Sequence, residues 1–194
     1  MSSMAKQLTY PFSEAAVRGL RVGERVSVSG RLFTGRDRLH KHVAEGNEPP
    51  VSLRDGAMYH CGPVAVQENG GWRVIAAGPT TSIREEPYMA ALIEAHGVRV
   101  IIGKGGMGAR TAEACRKWGC VYLQAVGGCA ALLAQRVRRV EGVHFLDAFG
   151  AAEALWVFEA DGLEAVVGMD AGGRSLYADI REQSKAVLEK ITRG

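Results

Sequence analysis

The 194-residue chain has little of what usually marks a self-contained metal site. It has four cysteines, Cys61, Cys115, Cys120 and Cys129. None forms CxxC, and no histidine stands at zinc-finger spacing from them. Cys115 falls on a helical pattern with Ala112 and Trp118 and reads as a buried small hydrophobe. The chain itself is expected to hold no metal. Net charge is only +3, too small to imply nucleic acid. The densest basic run, Arg136 to Arg139, reads as the solvated end of a helix. No apolar run approaches a membrane span, and no signal peptide precedes "MAKQLTYPF", so the expected compartment is cytoplasmic. Repeats, low-complexity stretches and a composition break are all absent, which favours a single domain over residues 1–194. With 47% hydrophobic and 23% charged residues, such a chain can bury a core without disulfides.

What is present reads as α/β, with a strand-rich first half followed by strand–helix units. "ERVSVSGRLF" (Glu24 to Phe33) alternates Val26 and Val28 with Ser27 and Ser29, a half-buried strand. "GAMYHCGPVAV" and "WRVIAAGP" predict two more strands joined by a turn at "ENGG". "HVAEGNEPPVSLRDG" is polar, has paired prolines and predicts a loop. After Gly78, "PYMAALIEAHG" sets Tyr88, Ala91, Leu92 and Ala95 on one helical face, with Gly97 as a stop. "VRVII" is an apolar strand and "ARTAEACRKWG" a helix closed by Gly119. "CVYLQAV" predicts a strand and "GCAALLAQRVRRV" a helix. "VHFLDAF", "ALWVFEA" and "EAVVGMD" predict separate strands, and "REQSKAVLEKITRG" a polar terminal helix.

Three stretches suggest chemistry. "GPTTSIR" lies where a strand hands over to a helix, a place where free N–H groups and the helix dipole attract anions. Capping needs one hydroxyl, whereas Thr80, Thr81 and Ser82 provide three, and Arg84 adds a fork suited to carboxylate or phosphate. "VRVIIGKGGMGARTAEA" contains Gly103-x-Gly105-x-x-Gly108, formally a dinucleotide fingerprint. The next strand ends in "YLQAVGG" without the acidic residue that would hold a ribose, so Lys104 on a glycine-rich turn better suits a smaller anion. "TGRDRLHKH" reads as a charged loop holding Arg36, Asp37, Arg38, His40 and Lys41. Its His40 could exchange protons near neutral pH. Gly127, Gly128 and Cys129 form a third strand-to-helix turn. Arg36, Thr80, Arg84 and Lys104 together outline a site for a small anion with more than one carboxylate.

"TGRDRLHKH", "YHCGPVA", "GPTTSIRE", "IIGKGGMG", "GGCAAL" and "EALWVFEADGLEAVVGMDAGG" occur in that order between about Val22 and Tyr177. The set closely resembles the β subunit, or C-terminal region, of iron–sulfur hydro-lyases, namely class I fumarase and L(+)-tartrate dehydratase. The resemblance implies a swivelling β/β/α domain. It also implies a heterodimer or heterotetramer with an α subunit that carries the 4Fe–4S cluster. It casts Thr80 as catalytic base, His40 as an active-site residue, and Arg36, Arg84 and Lys104 as substrate-binding, beside Thr81 and Ser82. The implied reaction is hydration of fumarate to L-malate or dehydration of L-tartrate to oxaloacetate. A stand-alone anion-binding regulatory module is the non-enzymatic alternative.

Overall fold

The computed structural model describes residues 4–192. The elements run β1 (Lys6–Thr9), α1 (Glu14–Arg18), β2 (Arg25–Thr34), α2 (Asp37–Ala44), β3 (Ala57–Tyr59), β4 (Val64–Glu68) and β5 (Gly71–Ala76). A 3₁₀ turn, Ser82–Glu85, then leads into α3 (Glu86–His96) and β6 (Val100–Gly103). The chain continues with α4 (Ala109–Trp118), β7 (Val121–Gln124), α5 (Ala130–Ala134) and β8 (Val137–His144). It ends with α6 (Leu146–Phe149), β9 (Leu155–Met169) and α7 (Leu176–Thr192). The fold is mixed α/β, as the alternation of patterns predicts.

Seven strands lie in the order β1-β2-β3-β6-β7-β9-β8, and β9 pairs again with β2, so β2, β3, β6, β7 and β9 close a ring. β1, β2, β3, β6 and β7 are mutually parallel, and β9 runs antiparallel to β2, β7 and β8. Strand alternation sorts the side chains into two cores. Val26, Val28, Tyr59, Val100, Ile102, Val121, Leu123, Trp156 and Phe158 share one. Met58, Ile101, Tyr122 and Val157 turn the other way, to meet α2, α3 and α4 through Leu39, Val43, Met89, Leu92 and Cys115. Gly97 and Gly119 end α3 and α4 in left-handed geometry, as their positions predict.

Five expectations change. "GAMYHCGPVAV" is not one strand: β3 ends at Tyr59 in the seven-stranded sheet, and β4 begins at Val64 and pairs with β5 in a separate two-stranded sheet. "TGRDRLHKH" is not a loop: Asp37 onward is α2, with Leu39, His40 and Val43 buried. Arg136–Arg139 is not a helix end, because α5 stops at Ala134 and Val137 begins β8. "VHFLDAF" leaves β8 at His144 and turns into the short α6. "ALWVFEA" and "EAVVGMD" are one 15-residue strand, β9. The four parallel strands of the ring place the turns after β2, β3, β6 and β7 at one end, the usual place for ligands in parallel α/β sheets.

Candidate active site

The GPTTS segment, which follows β5, is locked through the backbone to the turns after β3 and β6. Thr80 N donates to the His60 carbonyl at 2.7 Å, Lys104 N to the Thr80 carbonyl at 3.2 Å, and Ser82 N to the Lys104 carbonyl at 2.9 Å. Thr81 and Lys104 thus form a parallel β-bridge. GPTTS and GKGG lie side by side although Thr81 and Lys104 are 23 positions apart in the sequence. The glycine turn is held from below: Gly105 N donates to Gln124 Oε1 at 3.0 Å and Gly106 N to the Tyr122 hydroxyl at 3.2 Å. Gly105 and Gly106 both have φ of 80°, where a Cβ is strained, and a Cβ on Gly106 would lie 2.5 Å from the Tyr177 ring. The Lys104 side chain runs along the third turn, with its Cδ 3.5 Å from where a Cβ on Gly127 would sit.

The two arginines sit on nearby segments of the chain. Arg36 precedes α2, and its Nε lies 3.4 Å from Glu153 Oε1. Its guanidinium crosses the turn after β3, where a Cβ on Gly62 would come within 2.9 Å of Nη1. Arg84 is ion-paired with Asp37, the first residue of α2. Glu85 is buried behind them, and burial, reinforced by Asp37, pushes its pKa up to about 8. Glu85 is therefore protonated at neutral pH. Thr80 is not a helix cap. Its hydroxyl donates to the His60 carbonyl at 3.1 Å, and the residue is only partly buried.

Two expected site residues lie beneath the surface. His40 has no exposure, and its Nδ1 lies 2.9 Å from the Arg36 carbonyl. Burial pushes its pKa down to about 4, so it stays neutral and does not exchange protons near pH 7. Ser82 is also fully buried, with His60 Nδ1 at 2.9 Å and the Tyr122 hydroxyl at 3.1 Å from its Oγ. Neither side chain reaches the surface of the chain. Thr81 and Arg84 are exposed, and Arg36, Thr80 and Lys104 are partly so.

The family model described as Fumarase C-terminus matches residues 3–180. The chain belongs to this family. It is 46% identical over 186 residues to a Geobacillus stearothermophilus protein named "Putative fumarate hydratase class I", covering 95% of this chain but 35% of that protein. It is 34% identical over 194 residues to the L(+)-tartrate dehydratase subunit beta of Escherichia coli (strain K12), covering 97% of this chain and 96% of the subunit. It is 38% identical over 180 residues to a Methanocaldococcus jannaschii protein named "Putative L(+)-tartrate dehydratase subunit beta", covering 90% of this chain and 91% of that protein.

Within this Fumarase C-terminus chain, the glycine fingerprint has no helix end to offer a nucleotide. Glu86 already occupies the start of α4. Its carboxylate accepts from Gly108 N at 2.7 Å, Arg110 N at 3.0 Å, Thr111 N at 3.2 Å and Thr111 Oγ1 at 2.6 Å. A Cβ on Gly108 would fall 2.6 Å from Glu86 Oε1, so the last glycine of the fingerprint makes room for a carboxylate. The cysteines do not fit an iron–sulfur cluster. Cys115 and Cys120 neighbour each other, but no group of three or more His, Cys, Asp or Glu among the described residues could hold a metal, and burial pushes Cys61 up to about 12 and Cys120 well above its ordinary value, against the thiolate that ligation needs. Residue patterns missed His60, Glu85, Glu86, Tyr122 and Glu153. The histidine of "YHCGP" was visible, but its role depends on strand order, which no local pattern encodes.

Proposed function

We propose that this chain, as one domain over residues 1–194, is the β-subunit-type half of a hydro-lyase that hydrates fumarate reversibly to L-malate. The observation that supports this reading is the Thr81–Lys104 bridge, which brings the GPTTS and GKGG segments side by side, with Arg84 three residues beyond Thr81. Two guanidinium forks and an ammonium suit a dianion with a carboxylate at each end. In this reading Arg36 and Arg84 hold the carboxylates, Thr81 and Lys104 line the site, and Thr80 moves the proton at the carbon beside one carboxylate. A threonine hydroxyl acts as a base only where cations stabilise its alkoxide, and Lys104 and the arginines are the cations at hand. His40 and Ser82 act indirectly, from below.

The domain is the swivelling β/β/α type, in a heterodimer or heterotetramer placed in the cytoplasm. A 4Fe–4S cluster belongs to the α subunit or its fused equivalent. L(+)-tartrate dehydration to oxaloacetate is the second reading. It is supported by the Escherichia coli relative named L(+)-tartrate dehydratase subunit beta, 34% identical over 97% of this chain. Fumarate is favoured by the higher identity, 46% against 34%. Anaerobic co-expression with a cluster-bearing α subunit, followed by assays on fumarate, malate and L-tartrate, separates the two. Expressed alone, the chain is expected to be colourless and inactive. Turnover by the isolated, iron-free chain would sink the two-subunit reading.

A further inference from the structure

We propose that His60 is a positioning residue for Thr80, gripping the GPTTS turn through its carbonyl and its ring at the end of a buried chain of hydrogen bonds, Gly106–Tyr122–Ser82–His60. The proposal rests on reading Thr80 as the proton-transfer group. His60 follows β3, and its own N–H donates to the Ile102 carbonyl of β6 at 2.8 Å, so its backbone is part of the sheet framework. Its carbonyl then accepts twice from Thr80, from N at 2.7 Å and from Oγ1 at 3.1 Å. Two residues further on, its ring holds Ser82 Oγ through Nδ1 at 2.9 Å. One residue therefore fixes Thr80 and the far end of the same turn.

The direction of the chain can be worked out from its fixed end. A backbone N–H can only donate, so Gly106 N gives its proton to the Tyr122 oxygen at 3.2 Å. Tyr122 donates to Ser82 Oγ at 3.1 Å, and the proposal assigns the Ser82 proton to His60 Nδ1, 2.9 Å away. That assignment makes His60 the Nε2–H tautomer. Ser82, His60 and Tyr122 have no exposure, so water does not compete for these bonds. Burial pushes His60 well below its ordinary pKa and Tyr122 up to about 12, which keeps both uncharged.

Two observations argue against a space-filling role. His60 Nε2 is buried without a hydrogen-bond partner among the described residues, a cost that an apolar side chain would avoid. A Cβ on Gly103 would fall 1.8 Å from Ser82 Oγ, so the end of β6 is kept bare to admit that hydroxyl. The same chain reaches the GKGG turn at Gly106, so one network sets the spacing of both halves of the site.

Two measurements test this. Long-range ¹H–¹⁵N correlation on the full chain should show His60 with a protonated Nε2 and a bare Nδ1, unchanged from mildly acidic to mildly alkaline pH. Ser82→Ala should move the Nδ1 resonance. An Nδ1–H tautomer, or a ring that protonates in this range, overturns the proposal. In the assembled holoenzyme, His60→Asn keeps a polar atom near the Nδ1 position, whereas His60→Gln places it further out. His60→Gln and Ser82→Ala should each lower kcat about 10- to 100-fold with KM changed less than about twofold, and His60→Asn should keep most of kcat. Wild-type kcat in His60→Gln, or an Asn variant as slow as the Gln one, overturns it. If wild-type holoenzyme turns over neither fumarate nor L-tartrate, the proposed function fails, and the tautomer measurement still decides the hydrogen-bonded chain.

Discussion

Replacing Glu86 by alanine removes one carboxylate and leaves the start of α4 without its cap. Three backbone donors, those of Gly108, Arg110 and Thr111, lose their acceptor together with the Thr111 hydroxyl. Loss of an N-cap costs about 0.5–2 kcal/mol, and a hydrogen bond to a charged group contributes about 1.5–3 kcal/mol. These terms overlap, and Arg110 is exposed enough for water to replace its share, so the expected loss is about 2–4 kcal/mol. Glu86→Gln keeps one acceptor oxygen and should cost roughly half as much. For a chain of this size each kcal/mol moves Tm by about 2–4 °C, so Glu86→Ala should melt roughly 5–15 °C lower. Gly108→Ala attacks the same contact from the other side, since its Cβ would meet Glu86 Oε1 at 2.6 Å. The double variant should therefore lose less than the sum of the single losses. Urea titration with an unchanged slope gives the free energies, and hydrogen exchange at the first turn of α4 localises them. A loss below about 0.5 kcal/mol in Glu86→Ala, with exchange unaltered, would refute the capping argument.

Arg84→Lys keeps the charge but loses the fork, so it should weaken kcat/KM, and Arg84→Ala should cost on the order of 2–4 kcal/mol. Wild-type values in both assembled variants would reassign the clamp. Thr80→Ala should lower kcat about 10²–10⁴-fold with little change in Tm, because its hydroxyl contributes only a neutral bond to a carbonyl. Thr80→Ser should recover part of the rate. Exchange of the C3 proton of malate with solvent deuterium reads this step, and undiminished exchange in Thr80→Ala moves the base elsewhere. Glu85 has a folded pKa raised from 4.5 to about 8, so the folded state binds the extra proton and stability falls as pH rises through that window. His40, lowered from 6.5 to about 4, works in the opposite sense and destabilises the fold as pH falls below 6.5. Between pH 6.5 and about 8 Glu85 acts without that opposition, giving a decline of about 2 kcal/mol that Glu85→Gln should flatten.

Much of this fold is written locally. The stripe of α3 with Gly97 behind it, and α4 closed by Gly119, need no tertiary information to be found. The misread segments share a physical cause. Val137, Val140 and Val143 recur every third residue, which imitates a helix, but two register shifts in the β8–β9 pairing break the two-residue period of the strand. "ADG" at Ala160–Gly162 imitates a turn, yet β9 runs through it beside the irregularity between Val28 and Gly30 of β2. At the site, the GPTT and GKGG turns were legible because glycine and hydroxyl density is a local signal. That Ser82 points down, that His40 is enclosed, and that Glu86 fills the helix end all depend on which strands become neighbours.

The ion pairs of Arg36 with Glu153 and Arg84 with Asp37 mean that neither guanidinium waits in an unsatisfied field. In the proposed function, a carboxylate arriving at either competes with an acid the chain already supplies. Docking is then in part an exchange of partners, driven less by the full attraction of one pair than by the difference between two. The released Asp37 and Glu153 are both partly exposed and can turn to water. Such an exchange runs backward about as readily as forward. For the proposed hydration, in which substrate and product carry the same two carboxylates, that symmetry lets either one leave.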